Sequence, residues 1–446
     1  MTTLSLQEHL EAQHRALPAP AASQIWRRDA LASFAARGFP TRRDERWHYT
    51  DLRLLEDGRF PLVPRAPSAE TRAAAATLLE TLGIDLPGER LVFVDGQLDP
   101  TLSRFGATAG LEISSLTETW DSLDAGVIDR GALAAALSTV RTHPLAALNT
   151  AFVQHGALVK VARTARAHAP LQFVFVTVGR DRTAPQPRVI IELAAGAEAT
   201  IVQHFLDAQQ AAPGWLNLVT DVTQDPGSKL TLYRIQEHGG AHFHTSLLRA
   251  RLGRDALLTA GYVERGGRLV RNDIDVVLAE SGARADLFGL TLGSGEQHAD
   301  NHICVEHAAP RTASTAAFRA IADDAAHSVF CAKVIVRPDA QKVDARQASD
   351  GLLLSARAEI NAKPELEIYA NDIKCAHGAT VGELDEEQLF YLRSRGMDAD
   401  AARAMLTLAF AQVIAERITL APVRARAIKD FVARIPEARA AGDDAW

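Results

Sequence analysis

The hydrophobic pattern changes its period twice along the chain. Apolar residues recur at helical spacing from Leu4 to Arg15 and from Ile25 to Ala36, with Ile25, Ala30, Leu31 and Phe34 on one stripe. Pro18, Pro20 and Pro40 interrupt these segments. A further helix is predicted from Ser68 to Leu82 and a short strand over Arg90–Val94. From Leu158 the runs become strand-like: Leu158 to Val161, Leu171 to Val178, Arg188 to Leu193, Thr200 to Phe205, Leu216 to Val222 and Leu230 to Ile235. Helical periodicity returns at Asp385. One helix is expected up to Gly396, with acidic residues first, Arg393 and Arg395 last and glycine at the stop. A second, capped by Asp398, runs to about Ile418 with apolar residues nearly all round. A third is expected from Val423 to Ile435 with Ile428, Phe431, Val432 and Ile435 on one stripe.

A loose repeat marks the strand-rich part. Gly196-Ala197-Glu198-Ala199, Gly227-Ser228-Lys229-Leu230, Gly253-Arg254-Asp255-Ala256 and Gly282-Ala283-Arg284-Ala285 share one form, and each opens a β-like run. Ser355-Ala356-Arg357-Ala358 reads as a later copy, with two longer turns in the gap before it. Such steps fit the coils of a β-solenoid, with a β-sandwich of regular hairpins as the alternative. Asn-Gly and Asp-Gly hairpin turns are scarce there, Asp350-Gly351 being one, which favours the solenoid. The expected organisation is a mainly helical region over 1–140, a β-helical core over 141–383 and a helical region over 384–446.

Composition narrows the function. Hydrophobic residues make up 47% of the 446, enough to build a core. The formal net charge of −7 and the lack of a basic block argue against nucleic acid as a ligand. No run approaches the ~18 apolar residues of a membrane helix. The N-terminal residues read as neither a signal nor a transit peptide. The three cysteines, Cys304, Cys331 and Cys375, are too few for a disulfide framework, so a cytoplasmic chain is expected. Neither a GxxxxGK[ST] loop nor a GxGxxG unit, GxSxG elbow or HExxH helix occurs, so nucleotide hydrolysis and those hydrolytic chemistries are not expected of this chain.

The chemistry concentrates in Asn371-Asp372-Ile373-Lys374-Cys375-Ala376-His377-Gly378-Ala379-Thr380-Val381-Gly382. On a strand, Cys375 and His377 face one side together, and thiolate with imidazole suits zinc or an iron–sulfur centre. Read without further context, Cys375 is a small buried hydrophobe and His377 a turn histidine satisfied by backbone groups. A reactive Cys375 needs a lowered pKa, with Lys374 and His377 as the neighbours to lower it. One histidine is too weak for a cluster, so the remaining ligands have to come from another chain.

This stretch resembles the SufB/SufD scaffold family of the SUF iron–sulfur cluster assembly system, on its SufD side. The resemblance also runs through Ala340-Gln341-Lys342-Val343-Asp344-Ala345-Arg346-Gln347, Leu352-Leu353-Leu354-Ser355, Pro364-Glu365-Leu366-Glu367-Ile368 and Asp385 to Gly396. It extends more weakly to His307, Pro310, Phe330 and Arg46-Trp47-His48-Tyr49-Thr50-Asp51-Leu52. It implies a mainly β protein, a right-handed parallel β-helix between helical ends. It further implies a non-catalytic scaffold paired with a SufB-like paralogue, or with a second copy of itself, and a SufC-like ABC ATPase docked on the C-terminal helices. His377 and Cys375 would then be ligands of an iron–sulfur cluster held transiently and shared with the partner. A flavin is compatible with this picture, and no residue of the sequence is assigned to it. Two rival functions are a secreted β-helical carbohydrate-active enzyme and a purely structural partner with no metal role.

A second candidate is Gln297 to His307, where His298, Asp300, His302, Cys304 and Glu306 would share one side of a strand. A straight strand spreads i and i+4 by roughly 13 Å, too far for one ion, so a stacked polar ladder is the favoured reading. Cys304 and Cys331, lacking CxxC spacing, are expected to be core thiols.

Overall fold

The structure is a computed structural model that describes residues 6–17, 21–62, 66–82, 86–106, 108–119, 143–208 and 211–432. Four helices lead in: α1 (Leu6–Arg15), α2 (Ala21–Arg37), α3 (Arg53–Gly58) and α4 (Ala69–Leu82). The strands β1 (Arg90–Val94), β2 (Gln97–Leu98) and β3 (Leu111–Ser115) and the helix α5 (Pro144–Phe152) follow. Part of the region expected to be helical is thus stranded, and residues 120–142 lie outside the description.

Sixteen strands then alternate between two sheets, two per coil, through eight coils. They are β4 (Gly156–Val161) and β5 (Leu171–Thr177), β6 (Arg188–Leu193) and β7 (Glu198–Asp207), β8 (Trp215–Gln224) and β9 (Lys229–Glu237), and β10 (Phe243–Leu252) and β11 (Leu257–Arg265). The series continues with β12 (Leu269–Leu278) and β13 (Arg284–Gly293), β14 (His298–His307) and β15 (Ala313–Ala322), β16 (His327–Val336) and β17 (Val343–Leu353), and β18 (Glu359–Ile368) and β19 (Ile373–Gly382). One sheet has the order β19-β17-β15-β13-β11-β9-β7-β5-β1-β2, the other β18-β16-β14-β12-β10-β8-β6-β4-β3. All pairing from β4 to β19 is parallel, so this is a β-solenoid and not a hairpin sandwich.

The turns explain the repeat. The residue two positions before β7, β9, β11, β13 and β15 has a positive φ, and it is Gly196, Gly227, Asp255, Gly282 and Arg311 in turn. Lys342, next to β17, has one too. Glycine takes this conformation without a Cβ penalty. The third copy therefore turns at Asp255, not at Gly253. Ser355-Ala356-Arg357-Ala358 is out of phase: it opens β18 on the opposite sheet, and the in-phase successors of Gly282 are Arg311 and Lys342.

Inward residues stack coil upon coil. The rings of Phe93, Phe175 and Phe205 lie 4.8 and 5.0 Å apart and nearly parallel. Phe318 and Phe330 continue the aromatic filling near the other end. The outer face of the β4-to-β18 sheet is covered by α5 and the leading segment through Phe34, Phe39, Trp47, Phe60, Trp215, Phe243 and Leu269. The first coils are sealed by antiparallel strands, β2 on β1 and β3 on β4.

The C-terminal helices are α6 (Glu386–Ser394), α7 (Ala399–Ala415) and α8 (Ala421–Val432). Asp398 caps α7 as expected, and Asp385 caps α6, each accepting from main-chain N–H groups. Residues 433–446, including Ile435, lie outside the description. These helices do not stopper the end of the solenoid. They run back along the outer face of the β19 sheet. Ala404, Ala411, Ile414 and Ile418 pack there with Val263, Phe288, Leu290 and Ile321. Arg319 donates to the Phe410 carbonyl at 2.6 Å, and Arg417 meets Asp286 at 2.5 Å. Among the described residues, nothing covers the last coil, β18 and β19.

Candidate functional site

Both strands of the last coil are sheet edges, so one row of backbone N–H and C=O groups on each is unpaired. In β19, Cys375 lies beside Ala345 and His377 beside Gln347. Ala345, Gln347 and Ser349 are buried and point into the solenoid, so register puts Cys375 and His377 on the inward-facing rows, at the open end. The side they share is therefore the mouth of the solenoid and not its flank. Cys375 is half-buried against the apolar interior, while His377 is exposed because no further coil lies over it. The side-chain carbonyl of Gln347, one coil below His377, is buried without a hydrogen-bond partner among the described residues. On β18, Ala362, Pro364 and Leu366 stand in register with Phe330, Ala332 and Val334, which line the interior. The mouth is thus apolar apart from the two candidate donors. Pro364 has no N–H to give an edge.

The thiol is not activated in the way expected. Burial pushes the Cys375 pKa up, a backbone N–H bond at Ala345 only partly opposes this, and Asp344 adds to the rise. Lys374, next along the strand, points to the opposite face and does not lower it. Cys375 in this chain alone is a protonated thiol at neutral pH. Two donors are half a usual cluster ligand set. Among the described residues no group of three His, Cys, Asp or Glu side chains is placed to hold a metal ion.

In the second candidate region, His298, Asp300, His302, Cys304 and Glu306 do share the outer face of β14, and they behave as a ladder. Asp300 accepts from Arg271 and Thr50, His298 meets Thr50 at 2.9 Å and His327 at 3.2 Å, and Glu306 accepts from Arg337 at 2.7 Å. The Arg46 to Thr50 segment clamps this face: Arg46 bonds Asp275 at 3.0 Å, and Trp47 lies under the Arg271 guanidinium at 3.9 Å. Cys304 and Cys331 are not core thiols. They are half-buried on the outer face and line a cavity of about 430 Å³ with His302, Tyr49 and Lys333. Burial pushes them up to about 11 and about 12.

The solenoid interior also holds polar groups that the sequence did not single out. Glu264 accepts from Thr291 at 3.1 Å and Asn301 at 2.9 Å and also from Asn272, and burial pushes it up to about 7. The available signal is polar residues at inward strand positions, which becomes readable once the register is known.

A parallel β-solenoid sealed at its first coil, open at its last, with a thiol and an imidazole at the opening: this is the class the geometry defines. Residues 175–410 match the family described as SUF system FeS cluster assembly, SufBD core domain, and residues 6–173 match the SufBD protein N-terminal region. An iron–sulfur cluster assembly SufBD family protein of Synechocystis is 31% identical over 396 residues, 87% of this chain and 85% of its own. The iron–sulfur cluster assembly protein SufD of Escherichia coli is 30% identical over 415 residues, 91% of this chain and 92% of its own. SufD of Bacillus subtilis is 25% identical over 320 residues, 71% and 70% of the two chains. The chain belongs to the SufB/SufD family, is SufD-like, and has its role in iron–sulfur cluster assembly.

Proposed function

We propose that this chain is a non-catalytic scaffold subunit that pairs through its open solenoid end with a SufB-like paralogue and offers His377, with Cys375, to a nascent iron–sulfur cluster shared between the two. The observation that carries this is the unsealed last coil: free β18 and β19 edges and an apolar mouth, with the Cys–His pair inside it. A second β-helix stacked there would cover the mouth and supply the missing donors. It would also dehydrate the site, where electrostatic interactions strengthen. One His377 nitrogen would bind the cluster while Gln347 accepts from the other, the usual support for a ligating imidazole. Cys375 would act as a ligand or sulfur relay once partner charge or iron draws off its proton. Without the paralogue, two copies of this chain would pair by the same end.

We assign residues 384–446 to docking of a SufC-like ATPase, 141–383 to the solenoid core and 1–140 to the N-terminal region. Phe390 is 72% exposed and Tyr391 56%, and Met405 and Val413 are also exposed, so α6 and α7 keep apolar surface away from the solenoid. Movement of these helices would reach the sheet through Arg319–Phe410, Arg417–Asp286 and Arg426–Glu237. The reading assigns no residue to a flavin.

The test is anaerobic co-purification with the paralogue and the ATPase, measuring iron, sulfide and visible absorption. The wild-type complex is expected to carry a cluster. His377→Ala is expected to assemble fully yet lose most of the iron and sulfide, and Cys375→Ala to lose part. A full cluster in both variants would make this chain a structural partner only; failure of any complex to form would remove the scaffold assignment.

A further inference from the structure

The segment His238-Gly239-Gly240-Ala241-His242-Phe243-His244 joins β9 to β10 and carries three histidines in seven residues. All three are buried, His238 and His244 at 1% exposure and His242 at 4%. The His238 ring lies 5.7 Å from that of His242 and 5.5 Å from that of His244, centroid to centroid. Four of their six ring nitrogens are buried with no hydrogen-bond partner among the described residues: both of His238, Nε2 of His242 and Nδ1 of His244. Buried polar atoms are ordinarily paired, because an unpaired one bears its full desolvation cost. The pattern at His242 is specific. Its Nδ1 meets the Asp207 carboxylate at 2.5 Å, and that carboxylate is itself held by the Gly239 N–H at 2.9 Å. A carboxylate behind one ring nitrogen fixes the tautomer and leaves the other nitrogen's lone pair free, the arrangement found behind metal-ligating imidazoles.

We propose that His238, His242 and His244, with Asp207 supporting His242, bind one first-row divalent transition-metal ion of the zinc or iron(II) class. Neutral imidazole favours that group of ions, whereas magnesium and calcium prefer oxygen donors. As the rings stand, their donor atoms do not converge on one point. The two centroid separations are nevertheless close to the roughly 5 Å of two imidazoles sharing an ion at about 2.1 Å per nitrogen, and the ion would draw the donor atoms together on binding. A cavity of about 430 Å³ between α4 and α8 has Asp207, His242, Glu237, Arg265, Arg426 and Thr81 in its wall, which gives an ion a route in. The site is far along the chain from Cys375 and His377, and the proposal does not depend on their role.

The test uses the tag-free full chain carrying Cys375→Ala and His377→Ala, so that the mouth of the solenoid contributes no ligand. After chelator treatment it is titrated with Co²⁺ as an optical probe and with Zn²⁺ in competition. Uptake of one equivalent is expected, with the intense visible bands of a low-coordinate ion. Asp207→Asn is expected to weaken binding 10–100-fold, the usual effect of removing such a support, and His238→Gln with His242→Gln to abolish it. Circular dichroism checks that the variants fold. If they do not, X-ray absorption on the zinc-loaded parent decides, with three imidazoles expected. No uptake, uptake unchanged in the double variant, a sulfur ligand, or fewer than three imidazoles would overturn the proposal.

Discussion

Arg271 shows how one buried charge joins the N-terminal segment to the solenoid. Its guanidinium lies over the Trp47 ring, donates to Asp273 at 2.9 and 3.0 Å and also reaches Asp300, all buried. A buried ion pair adds little net stability while intact, yet removing one partner strands the other charge. Arg271→Ala, which leaves the buried Asp300 carboxylate without its cation, is therefore expected to cost about 3–5 kcal/mol. Asp275→Ala, which breaks only a half-exposed contact to Arg46, should cost under about 1 kcal/mol. Urea midpoints of the two variants test the contrast; equal losses would mean that Arg271 is solvated. The Arg46 to Leu52 string was recognisable as a motif, but its work as a clamp was not, because Asp273 and Asp300 lie more than two hundred residues away.

Every coil but the last has a residue of positive φ between its two strands. Gly227 at φ 71° has open space where a Cβ would stand, so Gly227→Ala carries only backbone strain, about 1 kcal/mol. Arg311 occupies the same place at φ 59°. Arg311→Gly should raise stability by up to about 1 kcal/mol, since relief of left-handed strain exceeds the entropy of glycine in the unfolded chain. Thermal melts of the two variants should move in opposite directions. The same substitution of bulky residues for glycine is why the repeat faded after Gly282: Arg311 and Lys342 do the job with no glycine to announce it. Strand positions were easier to read, and Arg90–Val94 and Arg188–Leu193 were found to the residue, because aliphatic runs bounded by turn residues leave little choice.

Across the molecule, burial holds several imidazoles uncharged. His204, His302 and His307 are lowered to about 4 and His298 to about 3, desolvation being the largest cause in each. Once unfolded they take up protons below about pH 6.5. Between about pH 6.5 and 4 the unfolded chain binds more protons than the fold, so stability is full above this window and falls as pH falls through it. Urea midpoints should drop steadily across that range, and a flat profile would mean that these rings are hydrated. The unequal ends of the solenoid lead to a further prediction. Val381 is 45% exposed on the β19 edge. Val381→Lys should leave the melt within about 0.5 kcal/mol, as for a surface change, while abolishing pairing with a second β-helix, as read by sedimentation. Retained pairing would place the contact elsewhere.

Periodicity and turn residues favoured the solenoid over a sandwich and marked the helical ends, and i, i+2 spacing put Cys375 and His377 on one side of a strand, because these patterns are local and act through neighbours in the chain. Where the pair points was a matter of register, since a one-residue slip moves every side chain to the opposite face. Which surface the last helices cover depended on small residues such as Ala404 and Ala411 meeting a distant sheet. The raised Cys375 pKa, the polar interior around Glu264 and the placing of Asp207 behind His242 arise from stacking coils about 30 residues apart in sequence. Desolvation and proximity of that kind are properties of the folded chain, and no local pattern carries them.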